Sequence, residues 1–441
     1  MNHLKNNLYF KIGGIVLIAL ILLIPTGMIS SIVSEREQTQ ADAIYEVSSK
    51  WGREQTIQGP VLSIPYTYYT KEVERATGKE KLVQLTQHLH VLPNELKINA
   101  TVNPEKRNRG IYDIVVYTSE IQVEGAFDLS DIKDLESKGC QFKLNEATLE
   151  TGLDDLRGIE KQIQLNWDSS RIPFEPGLSS EDLFSSGINA LVPISKIENT
   201  RYQFSFGLAL KGSQKLYFTP VGKVTDITMN SNWQSPSFDG SFLPDQHQIT
   251  KKGFHAHWNI LNLNRNYPQS WTGSRYDLDD SAFGVDLILP VDNYQKAHRS
   301  MHYAILFIGL TFLVFFFIEI FQSAFIHPIQ YILVGVALVV FYTLLLSFSE
   351  YLKFNYAFIL AALATLLLIA GYVRAILKSI RLTGLIVGLL SILYIFIFII
   401  IQLEDIALLV GSIGVFIILA LIMYFSRKID WYTINKGKSE N

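Results

Sequence analysis

Five side chains carry chemistry in places where it is costly: Glu319, His327, Tyr342, Ser347 and Glu350 lie inside or at the ends of long apolar runs. Ionisable groups in a membrane are expensive and tend to serve ion or proton pathways. Glu319 and Glu350 therefore read as candidate proton or cation handles. Each lies close to a run's end, where the headgroups and water also reach. His327 precedes Pro328 at the start of a run. Proline suits the first helical position, where its missing N–H has no intrahelical partner. His327 thus reads first as a cap and second as a titratable contact for an anion. Tyr342 beside Phe341, and Ser347 with Ser349, bring hydroxyls into the same run. Such hydroxyls usually bond across helices. A serine nucleophile would need a base, and this run holds no nearby His or Lys.

Elsewhere the candidates are weaker. His255 and His257 are two apart on a strand-like segment, so they share a face. That suits two metal ligands, but no third donor stands close by in sequence. Asp154-Asp155 and Asp279-Asp280 lack the defined oxygen-rich loop that calcium needs. No phosphate-binding glycine loop, His-Glu-x-x-His or Gly-x-Ser-x-Gly occurs. Cys140 is the sole cysteine, which excludes an intramolecular disulfide and a thiolate zinc site. No catalytic set, cofactor or metal is expected, and the chain leans away from being an enzyme. A net charge of −3 gives no reason to expect nucleic acid as a partner.

The elements that position these residues follow from hydropathy. Charged residues make up 18% of the 441, and the mean hydropathy is +0.21. The apolar residues are concentrated in runs. The first covers Leu8 to Ile29, and five more follow: Tyr303–Phe321, Ile329–Ser349, Tyr356–Val373, Leu382–Ile401 and Ile406–Phe425. About 20 apolar residues span a bilayer's hydrocarbon core, and the spanning backbone must be helical to satisfy its own polar groups. The first run is long and is followed by a charged stretch, which predicts an uncleaved signal anchor. Lys5 and Lys11 precede or open it; Arg374, Lys378 and Arg381, and Arg427, Lys428, Lys436 and Lys438, follow later runs. All fall on one side if the N-terminus is cytoplasmic. Glu350 with Lys353, and Glu404 with Asp405, fall on the other side. Both termini are therefore expected inside, and the large segment between the first two runs outside.

That segment changes character along its length. Ser34 to Trp51 predicts a polar amphipathic helix leading away from the membrane. After Gly52 the pattern is strand-like. Leu96–Val102 alternates with period two, and Ile111–Tyr117, Ile121–Phe127 and Phe254–Ile260 read as strands. Arg201–Leu210 and Lys215–Phe218 predict a hairpin turning at Lys211-Gly212-Ser213. The fold class is a membrane protein with six transmembrane helices (1 + 5) and a large extracytoplasmic antiparallel β-sandwich-like domain. The expected divisions are an anchor over 1–33, a mostly-β domain over 34–300, a five-helix cluster over 301–426 and a tail over 427–441.

Several blocks resemble the CreD family of inner-membrane proteins. Trp51-Gly52, Gly59-Pro60-Val61-Leu62 and Pro65-Tyr66 look like its opening block. Phe218-Thr219-Pro220-Val221-Gly222, Trp233 and Leu243-Pro244 look like its middle blocks. Phe283-Gly284-Val285, Pro290-Val291-Asp292 and Arg299-Ser300 resemble its return to the membrane. His327-Pro328-Ile329-Gln330-Tyr331, Leu333-Val334-Gly335 and Phe341-Tyr342 through Ser349-Glu350 form the most specific stretch. The resemblance covers nearly the whole chain and is thinnest from Cys140 to Thr200. It implies a bacterial inner-membrane location, a periplasmic outer domain, and a role in envelope integrity or envelope stress. It brings no catalytic motif. The leading expectation is a non-enzymatic protein whose outer domain binds a periplasmic protein, peptidoglycan or a lipid ligand, with the bilayer part anchoring or relaying. The alternative is a small-molecule or lipid transporter, or a membrane enzyme, using Glu319 and Glu350.

Overall fold

The computed structural model describes residues 8–73, 80–130, 140–194, 201–289, 293–322, 326–403 and 406–427. The sequence readings at Lys5, Pro290-Val291-Asp292, Glu404, Asp405, Lys428, Lys436 and Lys438 fall outside them. The chain divides into two units: Asp42–Pro290, and the segments that precede and follow it.

In the helical unit, α1 (Leu8–Trp51) is one continuous helix of 44 residues with Pro25 inside it. The polar stretch from Ser34 prolongs the first apolar run rather than starting a new helix, because no glycine or proline separates them. The other helices are α2 (Asn293–His302), α3 (Ala304–Gln322), α4 (Pro328–Ser349), α5 (Phe354–Leu377), α6 (Ile380–Gln402) and α7 (Ala407–Ser426). Six of these are long and apolar enough to cross a bilayer, and α2 is not among them. Helix α4 is the most enclosed: Tyr331, Leu338, Phe341, Tyr342 and Leu345 are buried on it. Its Phe341 meets Phe358 of α5 at 5.3 Å and Tyr394 of α6 at 5.0 Å between ring centroids. Phe307 of α3 stands edge-on to the same Tyr394 at 4.5 Å. These edge-on contacts put ring edges against ring faces, the favoured aromatic geometry. Gly335 of α4 makes room for α1. A Cβ there would fall 2.1 Å from Leu22 Cδ1, so a larger residue would require the Leu22 side chain to move.

The other unit is built from strands. The first are β1 (Gln55–Val73), β2 (Glu80–Val91), β3 (Glu95–Arg109), β4 (Tyr112–Asp128), β5 (Gln141–Phe142) and β6 (Thr148–Leu153). Then come β7 (Gln164–Trp167), β8 (Ser170–Pro173), β9 (Glu175–Pro176), β10 (Gly187–Leu191), β11 (Arg201–Ser213) and β12 (Lys215–Phe218). The last are β13 (Val224–Ser231), β14 (Pro236–Gly240), β15 (Gln246–Thr250), β16 (Gly253–Leu261), β17 (Ser270–Thr272) and β18 (Phe283–Leu287). One sheet runs β14-β18-β12-β1-β6-β10-β9, with β2 and β5 also on β1 and β17 on β2. The other runs β15-β16-β13-β3-β4-β11-β7-β8. Val61, Leu62 and Leu149 of the first share one core with Leu96, Ile98 and Phe206 of the second. The alternation in β3 drives this: Leu96, Ile98, Ala100 and Val102 face in, while Lys97, Asn99 and Thr101 face out.

Three details differ from the sequence reading. The two strands expected over Ile111–Tyr117 and Ile121–Phe127 are one strand, β4, paired along its length with β3. Ser119 points inward and donates to the Leu210 carbonyl at 3.1 Å, so the polar interruption does not break the ladder. The segments Arg201–Leu210 and Lys215–Phe218 are not a hairpin. Strand β11 pairs with β4 and β12 with β18, in different sheets. Gln214 takes a left-handed φ of 59° between them and turns the chain from one sheet to the other. Two pairings, β1 with β12 and β3 with β13, are parallel within the otherwise antiparallel sheets.

Close backbone approach makes one glycine a sensitive test of this packing. A Cβ on Gly125 would lie 2.2 Å from the Glu95 carbonyl oxygen and 2.7 Å from the Phe204 ring. Gly125→Ala is expected to destabilise the β unit by about 2–3 kcal/mol. A urea titration followed by tryptophan fluorescence measures it.

Candidate functional site

Both acids singled out in the apolar runs are held by cations from α1. Glu319, near the end of α3, forms an ion pair with Lys11. It also accepts a hydrogen bond from the Tyr331 hydroxyl at 3.0 Å and from the Ile326 backbone N–H at 3.2 Å. Its side chain is only 11% exposed, so these partners replace water. Glu350, the C-cap of α4, pairs with Arg36 at 3.2 Å. Between Lys11 and Arg36, α1 rises about 37 Å, slightly more than the ~30 Å hydrocarbon core. Leu22, packed on Gly335, lies between them. The two acids thus fasten the apolar stretch of α1 at both of its ends, to α3 and to α4.

His327 closes the N-terminus of α4. Its Nδ1 accepts from the Ile329 N–H at 3.3 Å, and its own N–H donates to Gln330 Oε1 at 3.1 Å. These bonds satisfy donors that the first helical turn leaves open. Tyr342 is 1% exposed, stacked edge-on against Phe341 at 5.0 Å. Among the described residues its hydroxyl has no hydrogen-bond partner, so the interhelical bond expected of Tyr342 is not seen there. Ser347 lies on the exposed side of α4, because five residues on a helix carry it to a different face. Ser349 is buried and donates back to the Leu346 carbonyl at 2.8 Å. The five residues are distributed along α3 and α4 and do not converge on one centre. A cavity of about 680 Å³ between α3, α6 and α7 is walled by Leu310, Phe317, Leu389, Phe396, Ile417 and Leu421, all apolar.

A polar cluster that the sequence did not reveal lies inside the β unit. Strand pairing sets Ser63 of β1 opposite His90 of β2, and Glu150 of β6 comes from the other side of β1. Ser63 Oγ is 2.9 Å from His90 Nδ1 and 3.1 Å from Glu150 Oε2. His90 Nε2 is 3.3 Å from Asp182 Oδ2, and His88 Nδ1 is 3.8 Å from that same oxygen. Glu150 also accepts from the Ser179 N–H at 2.8 Å and from the Thr148 hydroxyl at 3.3 Å. Ser63, His90 and Glu150 are all 0% exposed. Burial pulls His90 down to about 4, against the opposing hydrogen bond and charge of Asp182. The trio of Ser, His and Asp invites a hydrolase reading, and its access contradicts one: a serine that no solvent reaches cannot meet a substrate. Asp182, by contrast, lines an open polar cleft of about 460 Å³ with Thr86, Gln87, His88, Thr272 and Arg275.

The weaker candidates are occupied by local contacts. His255 bonds Asn230 at 2.8 Å and His257 bonds Asp226 at 2.9 Å. Among the described residues no group of three or more His, Cys, Asp or Glu is arranged to hold a metal ion. Asp155 accepts from the backbone N–H of Arg53 at 3.0 Å and from the Arg157 guanidinium at 2.9 Å. Burial opposes its charge, but the Arg157 bond and these N–H groups hold its carboxyl below the usual range. Asp154 accepts from the Thr56 N–H at 2.9 Å. Asp279 is bonded by Gln58; burial, with Asp277 and Asp154 close by, pushes its carboxyl up.

Both faces of β1 and β2 are buried here, with Val61, Leu62, Ser63 and Ile64, and Leu89, His90 and Val91, enclosed in succession, so no alternation marks Ser63 or His90. No sequence spacing connects them to Glu150 or Asp182, which arrive through non-local pairing and a loop.

Comparison with known proteins gives one match over nearly the whole chain. The model of the family described as inner membrane protein CreD matches residues 7–432. The inner membrane protein CreD of Escherichia coli (strain K12) is 31% identical over 450 aligned positions, covering 99% of this chain and 96% of the relative. Solved structures are similar only remotely. A putative protease from Parabacteroides distasonis is 9% identical over 47% of this chain and 42% of its own, with a TM-score of 0.24. An M1 zinc metallopeptidase from Deinococcus radiodurans is 6% identical over 39% of this chain and 38% of its own, with a TM-score of 0.18. Likeness at that level carries no argument about activity.

Proposed function

The chain belongs to the CreD family of inner membrane proteins, and from that membership we propose that it serves the integrity of the bacterial envelope by binding a periplasmic partner, protein or peptidoglycan, through its outer β unit. The bilayer helices act as a packed support for that unit. The orientation that goes with this reading places both termini in the cytoplasm and the β unit in the periplasm, following the Lys and Arg bias of the flanking segments. The pairing of Glu319 and Glu350 with Lys11 and Arg36 is the observation that carries the proposal. A carboxylate that couples transport has to exchange partners and meet water or cargo. Glu319 instead bonds an ammonium, a phenol and a backbone N–H together. The apolar cavity between α3, α6 and α7 offers no polar handle for a charged cargo.

The test replaces the charges without changing the shape. In cells that depend on the protein for envelope-stress resistance, Glu319→Gln and Glu350→Gln, singly and together, are expected to keep resistance within about twofold. The melting temperature of the purified protein should fall, because each ion pair is lost. Loss of resistance with the melting temperature and expression unchanged would favour an ion-coupled activity instead.

A further inference from the structure

We propose that Ser63, His90 and Glu150 form a buried proton-binding site that fastens the strap over 177–186, and that proton uptake at His90 releases this strap from the cleft beside β2.

The strap joins β9 to β10 and contains no strand or helix of its own. Leu178 and Leu183 pack against the core and the Ser186 carbonyl accepts from the Leu153 N–H at 3.1 Å; three further ties bear on the strap's release. Phe184 is buried in the shared core, Ser179 is bonded to Glu150, and Asp182 reaches His90. The first tie is apolar and indifferent to pH. The other two belong to the buried array.

A count of protons shows why the array responds to acid. Glu150, Ser63, His90 and Asp182 stand in series through three polar contacts of 3.1, 2.9 and 3.3 Å. The Ser63 hydroxyl supplies one proton and a neutral imidazole a second. Those two protons leave one of the three contacts without a donor. A proton on the ring fills the gap, giving an N–H toward Ser63 and another toward Asp182. In the closed form that charge sits on a ring that is 0% exposed, and burial outweighs Asp182 in setting its affinity.

Opening changes this balance. His90 Nε2 faces the strap through Asp182, so lifting the strap wets that edge of the ring. The wetted ring returns toward the ordinary histidine value of about 6.5, against about 4 when closed. Protons therefore bind the open form more tightly, and acid shifts the population toward it. The groups facing His90 are Asp182 from the strap, Ser63 on β1 with Glu150 behind it on β6, His88 on β2, and the Trp271 ring of β17 at 5.9 Å. Arg275 lines the cleft outside. Release of Asp182 removes one wall of that cleft and leaves β2 and the segment after β17 accessible.

Hydrogen exchange on the full-length protein in lipid nanodiscs tests this, with rates corrected for the intrinsic pH dependence of amide exchange. Peptides covering 177–183 are expected to open on the order of tens of fold more often at pH 4.5 than at pH 7.5. Peptides from β3 and β4 should stay far better protected than the strap at both pH values. His90→Gln should remove the pH dependence, and Asp182→Asn should loosen the strap at both pH values. Should His90→Gln fail to fold, the wild-type contrast and Asp182→Asn decide. An unchanged strap in the wild type overturns the proposal, as does exchange of the β3 and β4 peptides as fast as the strap at pH 4.5. Persistence of the pH response in a folded His90→Gln protein overturns it as well.

Discussion

Lys11→Glu is expected to destabilise the helical unit by about 2–4 kcal/mol. The substitution places a second carboxylate against Glu319 where Tyr331 and the Ile326 N–H already surround it. With an 11% exposed side chain at Glu319, water compensates little of the repulsion. The Glu319→Lys change on the same chain should restore part of the loss by remaking the pair with its polarity exchanged, although a lysine cannot accept from the Ile326 N–H. A thermal melt of the detergent-solubilised, full-length protein reports both. A further reading is positional: a cysteine at Leu22 and another at Gly335 should crosslink readily in a protein with the pair intact and slowly in Lys11→Glu. Equal stability of the single and double variants would remove the fastening role from this pair.

The β unit is expected to lose about 3 kcal/mol of stability between pH 6.5 and pH 4 through one residue, His90. In the unfolded chain a histidine titrates near 6.5; in the folded unit burial holds His90 at about 4. Above the first value neither form binds the proton, and the contribution is complete. As pH falls, the unfolded chain takes the proton first, and stability drops until the folded ring is protonated too. Urea titrations at pH 7.5 and 4.5 should show the midpoint falling in the wild type and falling much less in His90→Gln. The remaining slope belongs to carboxylates such as Asp155, whose depressed value acts at lower pH. This global effect and the local release of the strap share a cause but are read by different measurements.

The membrane architecture was legible because lipid imposes one rule on every span. Runs such as Ile329–Ser349 have to be helices, and α4 begins and ends within a residue of that expectation. The strand character of the β unit was legible from alternation in Leu96–Val102, which is the inward face of β3. What was illegible is pairing. Lys211-Gly212-Ser213 carries a turn's composition, yet the chain continues straight through it to Ser213 and changes sheets at Gln214. Nothing local distinguishes a turn that returns to its own sheet from one that crosses to another.

The candidate site shows the same limit. Hydropathy drew attention to Glu319 and Glu350 because each is an acid in an apolar setting. It could not show that Lys11 and Arg36, hundreds of residues earlier, supply the opposite charges. The His327 cap was legible from Pro328, since its chemistry is contained in one helical turn. Tyr342 and Ser347 were grouped by nearness in sequence, and the helical period sends them to a buried and an exposed face. The Ser63–His90–Glu150–Asp182 array was missed because each member alone is an ordinary strand or loop residue.

In-cell photocrosslinking from the outer unit addresses the central claim, that this unit binds a periplasmic partner while the bilayer helices support it. Photoreactive side chains would replace Tyr69, Leu243 and Leu263, which are large, apolar and exposed. A discrete adduct that recurs from at least one position, and persists in the Glu319→Gln, Glu350→Gln protein, is the predicted result. Absence of any adduct, together with uptake or turnover of a small molecule that disappears in the same double variant, would contradict it.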